Sequence, residues 1–214
     1  FRSLLVISAV LASSGCGGGA DLQSSATPAQ TLAQRAGAPL FDGMGDYHMP
    51  ITTADPDAQR YFDQGMVLAF GFNHAESIRS FRAAQTLDPT CAMCFWGEAL
   101  ATGPNINVTS NGKAIMAPAE RASARAAIDQ ALALIDGVTL KEQDWIKALD
   151  QRYDGQGDTP RDPLDRAWAD ALADMAARYP DDTTVASVYA EALMNTMPWD
   201  YWGPDGEAKP DTQA

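Results

Sequence analysis

Histidine and cysteine are scarce in this chain, which has two of the first and three of the second. That scarcity excludes most metal and redox motifs. A structural zinc site needs about four ligands, and Cys91 and Cys94 have no second cysteine pair to complete one. Haem attachment of the c-type requires Cys-x-x-Cys-His, but Phe95 follows Cys94. No glycine-rich phosphate loop, nucleophile elbow or His-rich zinc helix is present. Basic residues are also outnumbered, 15 Lys and Arg against 28 Asp and Glu, for a formal net charge of −13. Nucleic acid needs a surface of the other sign and is excluded as a partner. An acidic surface keeps a protein soluble and suits a basic or extended polar partner. Nothing here calls for a cofactor.

The chain opens on Phe1 rather than Met and closes at Ala214 in a polar stretch, and is expected to be an N-terminal fragment of a longer protein. After Arg2 comes "SLLVISAVLASSGC", a basic residue, an apolar run and small residues before a cysteine. That is the pattern of an export signal, and the run is too short for the ~20 residues of a membrane span. With "ASSGC" at its end, residues 1–16 resemble a bacterial lipoprotein signal in which Cys16 receives the lipid. Ser13 stands where such signals have Leu, with Leu11 two places back. The other reading is an ordinary cleaved signal with a chance cysteine. Both place the mature chain outside the cytoplasm, in the cell envelope facing the periplasm or free in the periplasm. Any membrane contact is through a lipid on Cys16. Residues 17–54 read as a flexible tether and extended lead-in, being Gly-, Ser-, Ala-, Thr- and Gln-rich as far as Ala38.

Roughly 160 residues remain for one folded domain. Strand signal is weak, and Ala-rich stretches with apolar residues at three and four spacing dominate. The pattern predicts helices over 55–71, 74–87, 91–102, 117–135, 139–153, 163–179 and 183–197. Pro56 suits a first turn, Thr139 and Glu142 suit a capping box, and Pro89, Pro180 and Pro198 mark stops. Trp96, Trp145 and Trp168 fall on apolar faces and are expected in the core. "MPWDYW" gathers Trp199, Tyr201 and Trp202 near the end, in an aromatic and polar segment over 198–214. It is expected to pack under a following repeat, with an aromatic binding patch as the other reading.

The helices come in pairs. In the first, Tyr61, Gly65, Leu68, Ser77, Phe81, Ala84 and Pro89 fall at the spacing of the tetratricopeptide repeat, with Gln64 where the repeat has Leu and Ser77 where it has Ala. From about Asp55 to Met197 the chain resembles tetratricopeptide repeat proteins, with 139–153 paired to 163–179 as a third unit. The resemblance implies an all-α fold, a right-handed α-solenoid of antiparallel helix pairs over 55–197. "FNHAESIRSFRAAQTLDPTCAMCFWGEALATGPNIN" is also similar to the N-terminal part of bacterial exported tetratricopeptide proteins, which continue into further helical pairs with more histidines.

Cys91 and Cys94 are read as a local disulfide. Setting aside Cys16 leaves an even pair, export implies an oxidising compartment, and residues three apart in a helical turn meet the roughly 4.4–6.8 Å limit. Its closed loop is small, so it would act as a pin on the helix start. Thiol redox is a weaker reading and requires Cys91 to be exposed with a lowered pKa.

The 74–87 helix spans about 20 Å, and the next returns antiparallel to it. "GPNIN" therefore comes back near "FNH", away from the cysteines. This brings Asn73, His74, Asn105 and Asn107 together as a candidate polar pocket. Asn side chains at such places commonly hold backbone turns; the functional reading makes His74 a ligand or proton carrier. Glu98 lies on the returning helix, and "YHMP", with His48 and Met49, is placed to lie across the array. The leading expectation is a non-catalytic scaffold binding a protein or peptide in a concave groove. The alternative is a metal-binding protein or metal-dependent enzyme in which His74 joins ligands beyond this sequence.

Overall fold

Asp55 starts the second helix because its carboxylate accepts the amides of Asp57 and Ala58, with Pro56 in the first turn. The computed structural model describes residues 30–213; the expected signal, Cys16 and the first part of the tether lie outside them. Eight α-helices follow one another: α1 (Leu32–Ala36), α2 (Pro56–Phe70), α3 (His74–Leu87), α4 (Ala92–Thr102), α5 (Pro118–Ala133), α6 (Leu140–Asp150), α7 (Arg161–Arg178) and α8 (Thr183–Thr196). The described chain is thus mostly helical, with neighbouring helices densely packed. A two-stranded hairpin, β1 (Thr109–Ser110) and β2 (Lys113–Ala114), interrupts them.

Two elements fall where none is expected. Helix α1 has a capping box between Thr31 and Gln34 and a left-handed Gly37 at its end. The hairpin turns at Asn111 and Gly112, both with positive φ, the conformation a two-residue hairpin loop requires. It lies in the long loop after α4 and packs against α7 and α8.

Packing is closest between α2 and α3, α3 and α4, α4 and α5, and α7 and α8. Small residues make the first contacts possible. The Phe81 ring lies against the bare α-carbons of Gly65 on α2 and Gly97 on α4, and the Ser77 hydroxyl donates to the Gly65 carbonyl at 2.7 Å. Phe62 meets Phe81 edge-on at 5.5 Å. Trp96, Trp145 and Trp168 are each only 1% exposed, and the Trp96 indole donates to the Trp145 carbonyl at 3.0 Å. Glu98, on the buried side of α4, accepts from Arg82 and Gln85 of α3, each at 2.7 Å.

The expected pairing of 139–153 with 163–179 is not the dominant one. Helix α7 packs chiefly on α8 and only lightly on α6. The Arg152 guanidinium, 3.8 Å above the Trp168 ring and bonded to Asp165, lies between the two helices.

Candidate functional site

The C-terminal end of α4 meets the end of α6 and the loop after α4. Arg152 donates to the Pro104 carbonyl at 2.8 Å, and the Tyr153 hydroxyl to the Ala99 carbonyl at 2.8 Å. The Trp199 indole, just past α8, donates to the Ile106 carbonyl at 2.7 Å. His74, at the start of α3, lies beside the Ala101 carbonyl. The end of α4 therefore lies beside the start of α3.

Arg152 is the hub of this end. It is fully buried, stacked on Trp168, and donates from Nε to Asp165 Oδ1 at 3.2 Å. Arg161 uses the same Asp165 oxygen at 2.7 Å and also donates to the Arg152 carbonyl at 3.0 Å. Gly103 lets the loop close over it, since a β-carbon there would fall 2.6 Å from Arg152 Nη1. One edge of the guanidinium is still unused: Nη1 is buried without a hydrogen-bond partner.

Three further polar groups face this centre. Burial lowers the His74 pKa; the Ala101 carbonyl opposes this and the Arg152 charge adds to it. Neither ring nitrogen of His74 completes a hydrogen bond. Burial raises the Glu191 pKa, against the pull of Arg152 and a hydrogen bond from Asn195. Asn195 is 2% exposed, and its Oδ1 has no partner. Chemically, the centre combines a buried cation, a neutral imidazole and a carboxyl biased towards its neutral form.

The four expected pocket residues divide. His74 and Asn105 turn inward; Asn73 and Asn107 are exposed. Asn105 Oδ1 accepts the Asn107 amide at 2.9 Å, so it holds a backbone turn. Asn73 makes no side-chain cap of α3. Arg152, Arg161, Asp165, Glu191 and Asn195 escaped the sequence reading. The one available signal was Glu191, the single charged residue of α8.

For His74 as a metal ligand, no group of three His, Cys, Asp or Glu side chains placed to hold an ion occurs among the described residues. Cys91 and Cys94 are joined by a disulfide with a Cα–Cα distance of 5.3 Å, in the first turn of α4. Both are fully buried, so the exposure that a redox Cys91 requires is missing.

A second arrangement lies along α2. The lead-in crosses it, held by two glutamines in the same way. Gln64 accepts the Phe41 amide at 2.7 Å and donates to the Pro39 carbonyl at 3.1 Å. Gln59 accepts the Ile51 amide at 3.0 Å and donates to the Met49 carbonyl at 2.9 Å. Asp63 takes the Met49 amide and the His48 ring, and Glu142 of α6 takes the Thr52 amide and hydroxyl at 2.5 and 2.7 Å. Beside this strap a cleft of about 300 Å³ opens between the starts of α6 and α8, lined by residues that include His48, Lys141, Glu142, Trp145 and Asp182.

No family model, curated protein or solved structure matches the chain. No helix among the described residues is long and apolar enough to cross a membrane.

Proposed function

We propose that the chain is a non-catalytic, tetratricopeptide-like helical scaffold of the bacterial cell envelope that holds an extended polypeptide partner in its groove. One observation carries this reading: Gln59 and Gln64 each grip the main chain of the lead-in, accepting one amide and donating to the carbonyl two residues earlier. Such contacts read backbone rather than side chains, as strand-type peptide recognition does. The close approach of Phe81 to Gly65 and Gly97 supports the repeat-like pairing. Export rests on the "SLLVISAVLASSGC" pattern.

The test is a photo-reactive residue in place of Lys141, beside the cleft, in the chain expressed with its own signal. A discrete adduct with another polypeptide is expected. Adducts confined to the chain's own residues 47–54 would overturn the reading. A second reading, a metal site at His74, is favoured by the two unpartnered ring nitrogens. Its test is metal content with and without His74→Ala: a stoichiometric metal lost in the variant would replace the scaffold.

A further inference from the structure

The segment after α8 folds back and leaves a cleft of about 270 Å³ against that helix. Leu193, Met194 and Met197 of α8 line one side; Tyr201, Trp202 and Asp211 line the other. The fold-back is tied down at several points. The Tyr201 carbonyl accepts from the Lys209 amide at 3.0 Å and from the Thr212 hydroxyl at 2.7 Å. Trp202 bridges to Ala208, and Arg166 of α7 donates to Asp211 Oδ2 at 2.7 Å. Close-packed proteins leave few voids larger than a water molecule, and an apolar cavity of about 150 Å³ takes benzene. The cleft is therefore large enough for one aromatic ring with a substituent.

The lining says what kind of molecule fits. Methionine adapts its shape and makes favourable sulfur–aromatic contacts, and Trp202, 58% exposed, offers aromatic surface for a ring to cover. Two polar groups of the same wall are unspent. Asp211 Oδ1 accepts no hydrogen bond among the described residues, and the Tyr201 hydroxyl is buried without a partner. A hydroxyl on the guest can donate to the first and accept from the second. Asp211 and Arg166 balance each other's charge, so the guest is neutral. We propose that this cleft binds a small neutral phenol, its ring between the methionines and Trp202 and its hydroxyl shared by Asp211 and Tyr201. The site is independent of the groove reading.

The experiment titrates the intact chain, labelled at its methionine methyl groups, with phenol, toluene and benzoate, followed by NMR. Phenol should give saturable shifts at Met194 and Met197 and leave the other six of the eight methionines in place. Toluene, of similar size without the hydroxyl, should bind several-fold more weakly, and benzoate, an anion, should not saturate. Ala190→Phe, at an exposed position on the edge of the cleft, should fill it and abolish the response. Tyr201→Phe removes a hydroxyl that bonds nothing in the fold and should cut the advantage of phenol over toluene several-fold. Equal binding of toluene and phenol would overturn the proposal, as would shifts spread over all the methionines or undiminished in Ala190→Phe. Met194 and Met197 signals that move with protein concentration alone would give the cleft to a second copy of the chain and overturn it too.

Discussion

The ring of Phe81 lies so close to Gly65 that a β-carbon there would fall 2.7 Å from the ring edge. The same ring crowds Gly97 from the other side, so one aromatic side chain joins three consecutive helices through two missing side chains. Glycine within a helix normally costs about 0.5–1 kcal/mol relative to alanine, and here that cost is offset by close packing. Gly65→Ala and Gly97→Ala should therefore destabilise the fold, by about 1–3 kcal/mol each. Denaturant unfolding measures this; a gain in stability would show that the helices do not approach this closely.

The Cys91–Cys94 disulfide should behave as a pin. Both sulfurs are buried, so native protein should resist reductant and yield alkylated Cys91 and Cys94 only after unfolding. Its loop is short, and the chain-entropy gain is about 2 kcal/mol. Cys91→Ala with Cys94→Ala should lower stability by no more than this and leave the helical circular dichroism unchanged. Rapid reduction of the folded chain would restore the redox reading.

His74 and Glu191 should give stability opposite dependences on pH. The folded His74 pKa is lowered below 6.5, so between that lowered value and 6.5 the unfolded chain binds more protons. Stability is then held above this window and lost as pH falls through it. The folded Glu191 pKa is raised above 4.5, so its contribution is present below 4.5 and lost as pH rises through the raised value. Unfolding curves across pH for His74→Gln and Glu191→Gln should each flatten their own window. A variant that leaves the pH profile untouched would show that its side chain is solvated.

Glu142 ties the lead-in to the helices. Its carboxylate caps α6 through the Thr139 amide and also accepts the Thr52 amide and hydroxyl. Glu142→Ala should cost about 1–3 kcal/mol, and amide exchange should accelerate first over residues 47–54. Glu142→Gln, which keeps an acceptor, should be milder. Uniform acceleration throughout the domain would mean that the strap and the helices open as one unit.

The amino-acid sequence by itself determined where α2 to α8 lie, though not the short α1. Helix α3 runs over His74–Leu87, as its periodicity and Pro89 predict, and Thr139 and Glu142 form the anticipated capping box. Such signals are local: a cap, a proline stop and a 3.6-residue apolar repeat act within a turn or two. The three core tryptophans were legible for the same reason. The Asn111–Gly112 hairpin was locally encoded too, but two-residue strands have no periodicity to read. Tertiary structure alone decided the rest. Arg152 and Glu191 look like surface charges until α4, α7 and α8 close around them, and Gln59 and Gln64 look like ordinary helix residues until the lead-in lies across α2. Burial and partnership are set by segments far apart in the chain, so no local pattern specifies them. The candidate site was visible in the sequence only through His74 and the "GPNIN" loop. The charged centre they face came from packing.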